Sequence, residues 1–152
     1  MYVYLTYLAI VAGLVFVDQF SKWLVMKYMS LHHQITVIPH VLGFRYTRNS
    51  GAAWSILEDK MGLFYIVTIL SIGLFVYLLV TDGNLTSKRL YTFSLLLMIA
   101  GAIGNFIDRL IYQSVTDFIE FLFIRFPIFN LADTFLTVGV TLFAVCVLLG
   151  KD

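Results

Sequence analysis

Four long apolar runs constrain this chain more than any other feature. They cover about residues 2–26, 61–81, 90–110 and 131–150. Each is long enough to cross roughly 30 Å of hydrocarbon. Lipid offers no hydrogen-bond partners, so a spanning segment must satisfy its own backbone and such runs are helices. The remaining composition agrees, with 61% hydrophobic and only 12% charged residues. A soluble domain carries about 25% charged residues, so this chain has too little polar surface to coat a water-soluble globule. The same apolar excess excludes a disordered chain. The expected fold is mainly α: four transmembrane helices in one integral-membrane domain covering 1–152.

A cleavable signal peptide would open on a basic stretch and end at a small-residue site. Tyr2–Val17 shows neither, so the first run reads as a retained span. The second connection, Asp82–Arg89, is short and carries an Asp-Gly turn signal. The first, Lys27–Lys60, holds the β-branched and aromatic runs Ile35–Ile38 and Leu42–Thr47, separated by Pro39, which predict a small sheet. In the third, 111–130, Val115, Phe118, Ile119 and Leu122 fall at helical spacing and predict a short interfacial helix.

Four spans place both termini on one side of the membrane. Lys88, Arg89 and Lys151 flank one side, and Lys27, Arg45, Arg48, Lys60, Arg109 and Arg125 the other. The long loop dilutes the positive-inside rule, and several of these cations have site or structural uses. Charge is therefore silent on orientation. A net charge of +1 gives no basic field for nucleic acid. His32, His33 and His40 stand near one another without a carboxylate pattern, and the single Cys146 lies in an apolar run. No metal site and no cofactor are expected, and neither H-E-x-x-H nor G-x-S-x-G occurs.

Ionisable groups in or beside spans are costly and are functional candidates. Here they cluster at the helix ends that bear the two longer loops. Asp18 and Lys22 are at i and i+4; Asn105, Asp108 and Arg109 share one helix face; Asn130 and Asp133 open the fourth span; Asp117 lies between the last two groups. Each has a structural use: ion pair, helix clamp, helix cap, or an acid favoured at a helix start. Together they suit a pair of carboxylates that share a proton and activate water. Spacing leaves open which two of Asp18, Asp108, Asp117 and Asp133 would form the pair. The competing expectation is a non-enzymatic transporter or assembly factor with a buried polar clamp. A presenilin-like protease is disfavoured because no G-x-G-D motif occurs.

Five segments in order, DQFSK (18–22), NSGAAWS (49–55), GNFIDR (104–109), VTDF (115–118) and FNLAD (129–133), resemble the lipoprotein signal peptidase family, the type II signal peptidases of bacteria. Trp54 stands where that family often has another aromatic residue. The resemblance implies that Asp117 and Asp133 are catalytic. It implies that Asn49, Gly51, Asn105, Arg109 and Asn130 bind substrate, and that Asp18, Lys22, Asp108 and Ala132 form a polar structural shell. It further implies a small extracytoplasmic β-cradle, an extracytoplasmic helix and cytoplasmic termini in the bacterial cytoplasmic membrane. The implied substrates are diacylglyceryl-modified prolipoproteins, cleaved before the lipidated cysteine. The cyclic peptide globomycin would bind in the same pocket, membrane lipid would surround the protein, and a monomer is expected. Trp54 and its neighbours would clamp the substrate at headgroup level. Gly51, Ala52 and Ala53 would allow close approach of the substrate or simply form a turn.

Overall fold

A computed structural model describes residues 2–51 and 61–150. The element order is α1 (Tyr2–Tyr28), β1 (Gln34–Ile38), β2 (Leu42–Asn49), α2 (Met61–Asp82), α3 (Arg89–Tyr112), β3 (Val115–Phe121) and α4 (Leu131–Leu149). All four helices are long and apolar enough to cross a membrane. Their outward faces carry large apolar side chains such as Leu8, Leu70, Tyr77 and Leu148. That pattern suits lipid, which imposes no penalty on exposed hydrocarbon.

The third helix is the hub. Leu95 to Ala102 of α3 are all buried, whereas α2 buries only Leu79 among its residues. Tyr7 of α1 and Leu79 of α2 pack on Leu95, Leu96 and Ile99. Small residues let α4 approach closely, as is usual between membrane helices. A methyl group on Gly139 would come within 2.7 Å of Met98 Cγ. One on Gly101 would strike the Ala132 carbonyl and Leu136.

The sheet is antiparallel in the order β1-β2-β3. It packs on the ends of α1 and α4, where Val25, Met29, Tyr46 and Phe118 form a second core joined by Leu131. An irregularity between Phe44 and Thr47 shifts the β2–β3 register, after which Thr47 pairs with Asp117 and Asn49 with Val115. Bulges re-aim side chains, and beyond this one Asn49 reaches the Asp117 carboxylate.

The sheet expected in the first loop is present. The helix expected over 115–122 is not: Val115–Phe121 is strand β3. The reason is burial on both faces. Val115, Thr116, Asp117 and Phe118 are buried in succession, so the strand lacks the alternation that marks a half-exposed one. Its apolar residues fall at three- and four-residue spacing without forming a helical stripe. Asp117 is accordingly a strand residue and caps no helix. Among the described residues no helix lies outside the four spans. The expectations for Ala52, Ala53 and Trp54 fall outside the described residues.

Candidate active site

The local geometry begins with helix spacing. Asp18 and Lys22, one turn apart on α1, form an ion pair of 2.9 Å with both side chains almost fully buried. Lys22 Nζ also lies 3.6 Å from Asp108 Oδ2. It donates to Asn105 Oδ1 at 3.0 Å. One buried ammonium thus faces two carboxylates and an amide, all from α1 and α3. Buried charges persist only when paired and hydrogen-bonded, and this set meets that condition. Asp18 Oδ1 accepts from the Ala132 backbone N–H at 2.9 Å, and Asp108 Oδ2 from that of Thr116 at 2.8 Å. The pair therefore ties α1 and α3 to the starts of α4 and β3.

Gln19 carries no signal in the sequence beyond its place beside Asp18. Its Nε2 donates to Asp18 Oδ2, the Gly104 carbonyl and Asp108 Oδ1, at 3.1, 3.0 and 3.0 Å. Gly104 permits this approach, since a methyl group there would lie 2.5 Å from Asp18 Oδ2.

Above this platform lie Asp117 and Asp133. Asn130 is the N-cap of α4: its side chain accepts from the Asp133 N–H while the Asp133 carboxylate accepts from the Asn130 N–H, a capping box. The Asn130 Nδ2 group donates to Asp117 Oδ1 at 2.7 Å and to Asn105 Oδ1 at 3.1 Å. Asn105 Nδ2 donates to Asp133 Oδ1 at 2.7 Å. Asn49 Nδ2 donates to Asp117 Oδ2 at 3.0 Å, and Asn49 Oδ1 accepts from the Gly51 N–H at 3.0 Å. Three asparagines thus fix two carboxylates carried on different elements.

Burial, followed by the nearby Asp133 carboxylate, pushes the Asp117 pKa up to about 7; the amides of Asn49 and Asn130 and the Lys22 charge oppose that rise. Desolvation and a like charge both disfavour a second anion here. The site therefore holds a proton near neutrality.

The carboxylates border a chamber of 670 Å³. Asn49, Gly51, Asn105 and Arg109 line its polar end, and Val67, Phe75, Leu136 and Val138 its apolar walls. Asn130 is fully buried behind the carboxylates. Arg109 stacks on the Phe64 ring at 4.7 Å. Among the described residues its buried Nε has no hydrogen-bond partner. Tyr65 helps seat the end of α3 by donating to the Arg109 carbonyl at 3.0 Å. Neither Phe64 nor Tyr65 stands out in the sequence, where both lie inside an apolar run. Among the described residues no group of three His, Cys, Asp or Glu side chains could hold a metal ion.

A family model described as signal peptidase (SPase) II matches residues 10–149. The chain belongs to the signal peptidase II family. Members of this family are membrane signal peptidases, and this chain is one of them. It is 45% identical over 149 residues to the lipoprotein signal peptidase of Listeria monocytogenes serotype 4a (strain HCC23), covering 97% of this chain and 93% of that one. It is 48% identical to the lipoprotein signal peptidase of Latilactobacillus sakei subsp. sakei (strain 23K), covering 95% of each. Two bacterial membrane enzymes solved by the in meso method share the fold. Both are 39% identical over 94% of this chain, with TM-scores of 0.87 and 0.85 over 87% and 92% of theirs.

Proposed function

We propose that the chain is an aspartic endopeptidase that removes signal peptides from diacylglyceryl-modified prolipoproteins, cutting just before the lipidated cysteine. Asp117 and Asp133 are the catalytic pair. The observation that carries this reading is that both carboxylates, cross-linked through Asn130, border one chamber with apolar walls.

The chemistry follows from two carboxylates sharing one proton. The ionised member takes a proton from water as the water oxygen bonds to the peptide carbonyl carbon. The protonated member donates to the carbonyl oxygen as charge develops there. Collapse breaks the C–N bond, and a carboxyl group returns a proton to the leaving amine. Asn49, Gly51, Asn105 and Arg109 bind the substrate main chain, with the Arg109 Nε, unpartnered among the described residues, as a donor. Asn130 positions Asp117. Asp18, Lys22, Asp108 and Ala132 hold the platform. Acyl chains anchor the substrate at the interface, so a pair at the helix ends meets the scissile bond at its own depth. The protein acts as a single domain and a monomer in the bacterial cytoplasmic membrane, with the site on the extracytoplasmic face. Globomycin competes for the chamber.

The test is a gel-shift assay on a diacylglyceryl-modified prolipoprotein, with the unmodified precursor as control. Cleavage of the lipidated form alone, blocked by globomycin and unaffected by chelators, is the expected result. Equal cleavage of both forms would sink the substrate assignment, and loss of turnover in EDTA with recovery on adding zinc would sink the mechanism.

A further inference from the structure

A hydroxyl on a helix commonly donates to a main-chain carbonyl one turn back. On the four spans Thr6, Ser21, Thr81, Thr92, Ser94, Thr134 and Thr141 all do so, each to a carbonyl three or four residues earlier. Thr68 and Ser71 of α2 and Thr137 of α4 do not. Among the described residues their hydroxyls have no hydrogen-bond partner. All three line the chamber that the carboxylates border.

The helices set their depth. Phe64 and Tyr65 of α2 lie level with Arg109, through ring stacking and a hydrogen bond to its carbonyl. Thr68 and Ser71 follow on the same helix, about 6 Å and 10 Å beyond Phe64 at the helical rise. Thr137 lies one turn beyond Asp133 on α4, again about 6 Å. The hydroxyls therefore descend from the carboxylates into the spanning part of the chamber, among Val67, Phe75, Leu136 and Val138. Lipid supplies no partner at that depth, so a donor facing the chamber serves whatever fills it.

A signal segment crossing lipid is a helix that satisfies its own backbone. A carbonyl carbon inside a helix is closed to water, so the residues before the cut must unwind. The helix that remains ends on carbonyls without internal partners, in surroundings where an unpaired polar group is costly. We infer that Thr68, Ser71 and Thr137 donate to those carbonyls and hold the unwound end of the signal segment on the membrane side of the carboxylates. The inference rests on the reading under Proposed function, because it takes the signal segment to be the occupant of the chamber. Each bond is between neutral groups, so losing one is expected to slow cleavage about two- to ten-fold.

The experiment uses the full chain in lipid bicelles and semisynthetic diacylglyceryl-modified prolipoproteins. One peptide bond at a time in the last helical turn before the scissile bond is replaced by an ester, whose carbonyl is the weaker acceptor. The readout is the ratio of kcat/KM for the all-amide substrate to that for each ester substrate, within each enzyme. The expected wild-type ratio is about two to ten at one or more positions. It should fall toward one there in Thr68→Val/Ser71→Ala and in Thr137→Val, and stay at the wild-type value in Thr141→Val, whose hydroxyl is bonded within α4. These exchanges remove polar groups from lipid and nearly keep shape, so melting temperatures should match wild type. Ratios of one in the wild type, or ratios that are the same in all the enzymes, overturn the inference and leave the peptidase reading standing. So does a penalty that couples to the same hydroxyls only when the diacylglyceryl esters are replaced by ethers, which would assign the hydroxyls to the lipid. A wild type that cleaves no lipidated substrate overturns that reading and the inference with it.

Discussion

The side-chain amide of Asn130 donates to Asp117 Oδ1 across 2.7 Å while the same residue caps the helix that carries Asp133. One side chain therefore links the strand bearing one carboxylate to the helix bearing the other. Its three amide-proton acceptors, Asp117, the Thr116 carbonyl and Asn105, come from two further elements, β3 and α3. The carboxylates cannot separate without breaking buried hydrogen bonds, which costs more than the bonds contribute when made.

Asp117→Asn and Asp133→Asn are each expected to lower cleavage by at least about 100-fold, the lower range for loss of an acid–base group. Both keep the size and a side-chain acceptor at the site. Membrane insertion and yield should match wild type. Normal turnover in either variant would remove that residue from the catalytic pair.

Asn130 separates capping from positioning. Asn130→Ser keeps a good N-cap, whereas Asn130→Ala loses it at about 1 kcal/mol. Both remove the amide that opposes the raised Asp117 pKa. The alkaline limb of kcat/KM, expected near the Asp117 value of about 7, should move to higher pH in Asn130→Ser. An unmoved limb would mean that the amide does not tune Asp117.

Stability should fall with pH because of Asp117. Its folded pKa of about 7 exceeds the unfolded value of about 3.9. Between those values the folded state binds more protons than the unfolded state, so stability is lost as pH rises. Asp117→Asn stays neutral and removes this dependence. Thermal melts in detergent from acid to neutral pH should show the variant gaining on wild type as pH rises; parallel curves would refute the assignment.

Lys22→Met strands two buried carboxylates, Asp18 and Asp108. Breaking a buried pair by removing one partner costs about 3–5 kcal/mol. Adding Asp18→Asn should recover part of the loss, because it removes one of the stranded charges and keeps an acceptor for the Ala132 N–H. A double variant no more stable than Lys22→Met would argue that Lys22 acts through packing of its stem.

Gly104→Ala places a methyl group 2.5 Å from Asp18 Oδ2 and 3.2 Å from the Ala132 Cβ. Asp18 is held by Lys22, Gln19 and Ala132, so it has little freedom to yield. The expected outcome is a lower melting temperature together with lower activity. A variant that melts and cleaves like wild type would show that α1 shifts freely against α3.

What the sequence determined by itself is the set of relationships that local geometry fixes. Four apolar runs must be helices because lipid cannot satisfy a bare backbone. Asp18 and Lys22 meet because four residues make about one helical turn, and Asn130 and Asp133 because a cap and the third helical residue exchange hydrogen bonds. The β1–β2 hairpin was legible in its β-branched runs. Tertiary structure decided the rest. Asn49 reaches Asp117 across 68 residues, Asn105 reaches Asp133 across 28, and Gln19 reaches Asp108 across 89. No periodicity encodes such distances; they depend on helix packing and on strand register. The strand at 115–121 was hidden for the same reason. Its first four residues are buried on both faces by neighbours far away in sequence, so only the folded chain shows which side of Asp117 is covered and which borders the chamber.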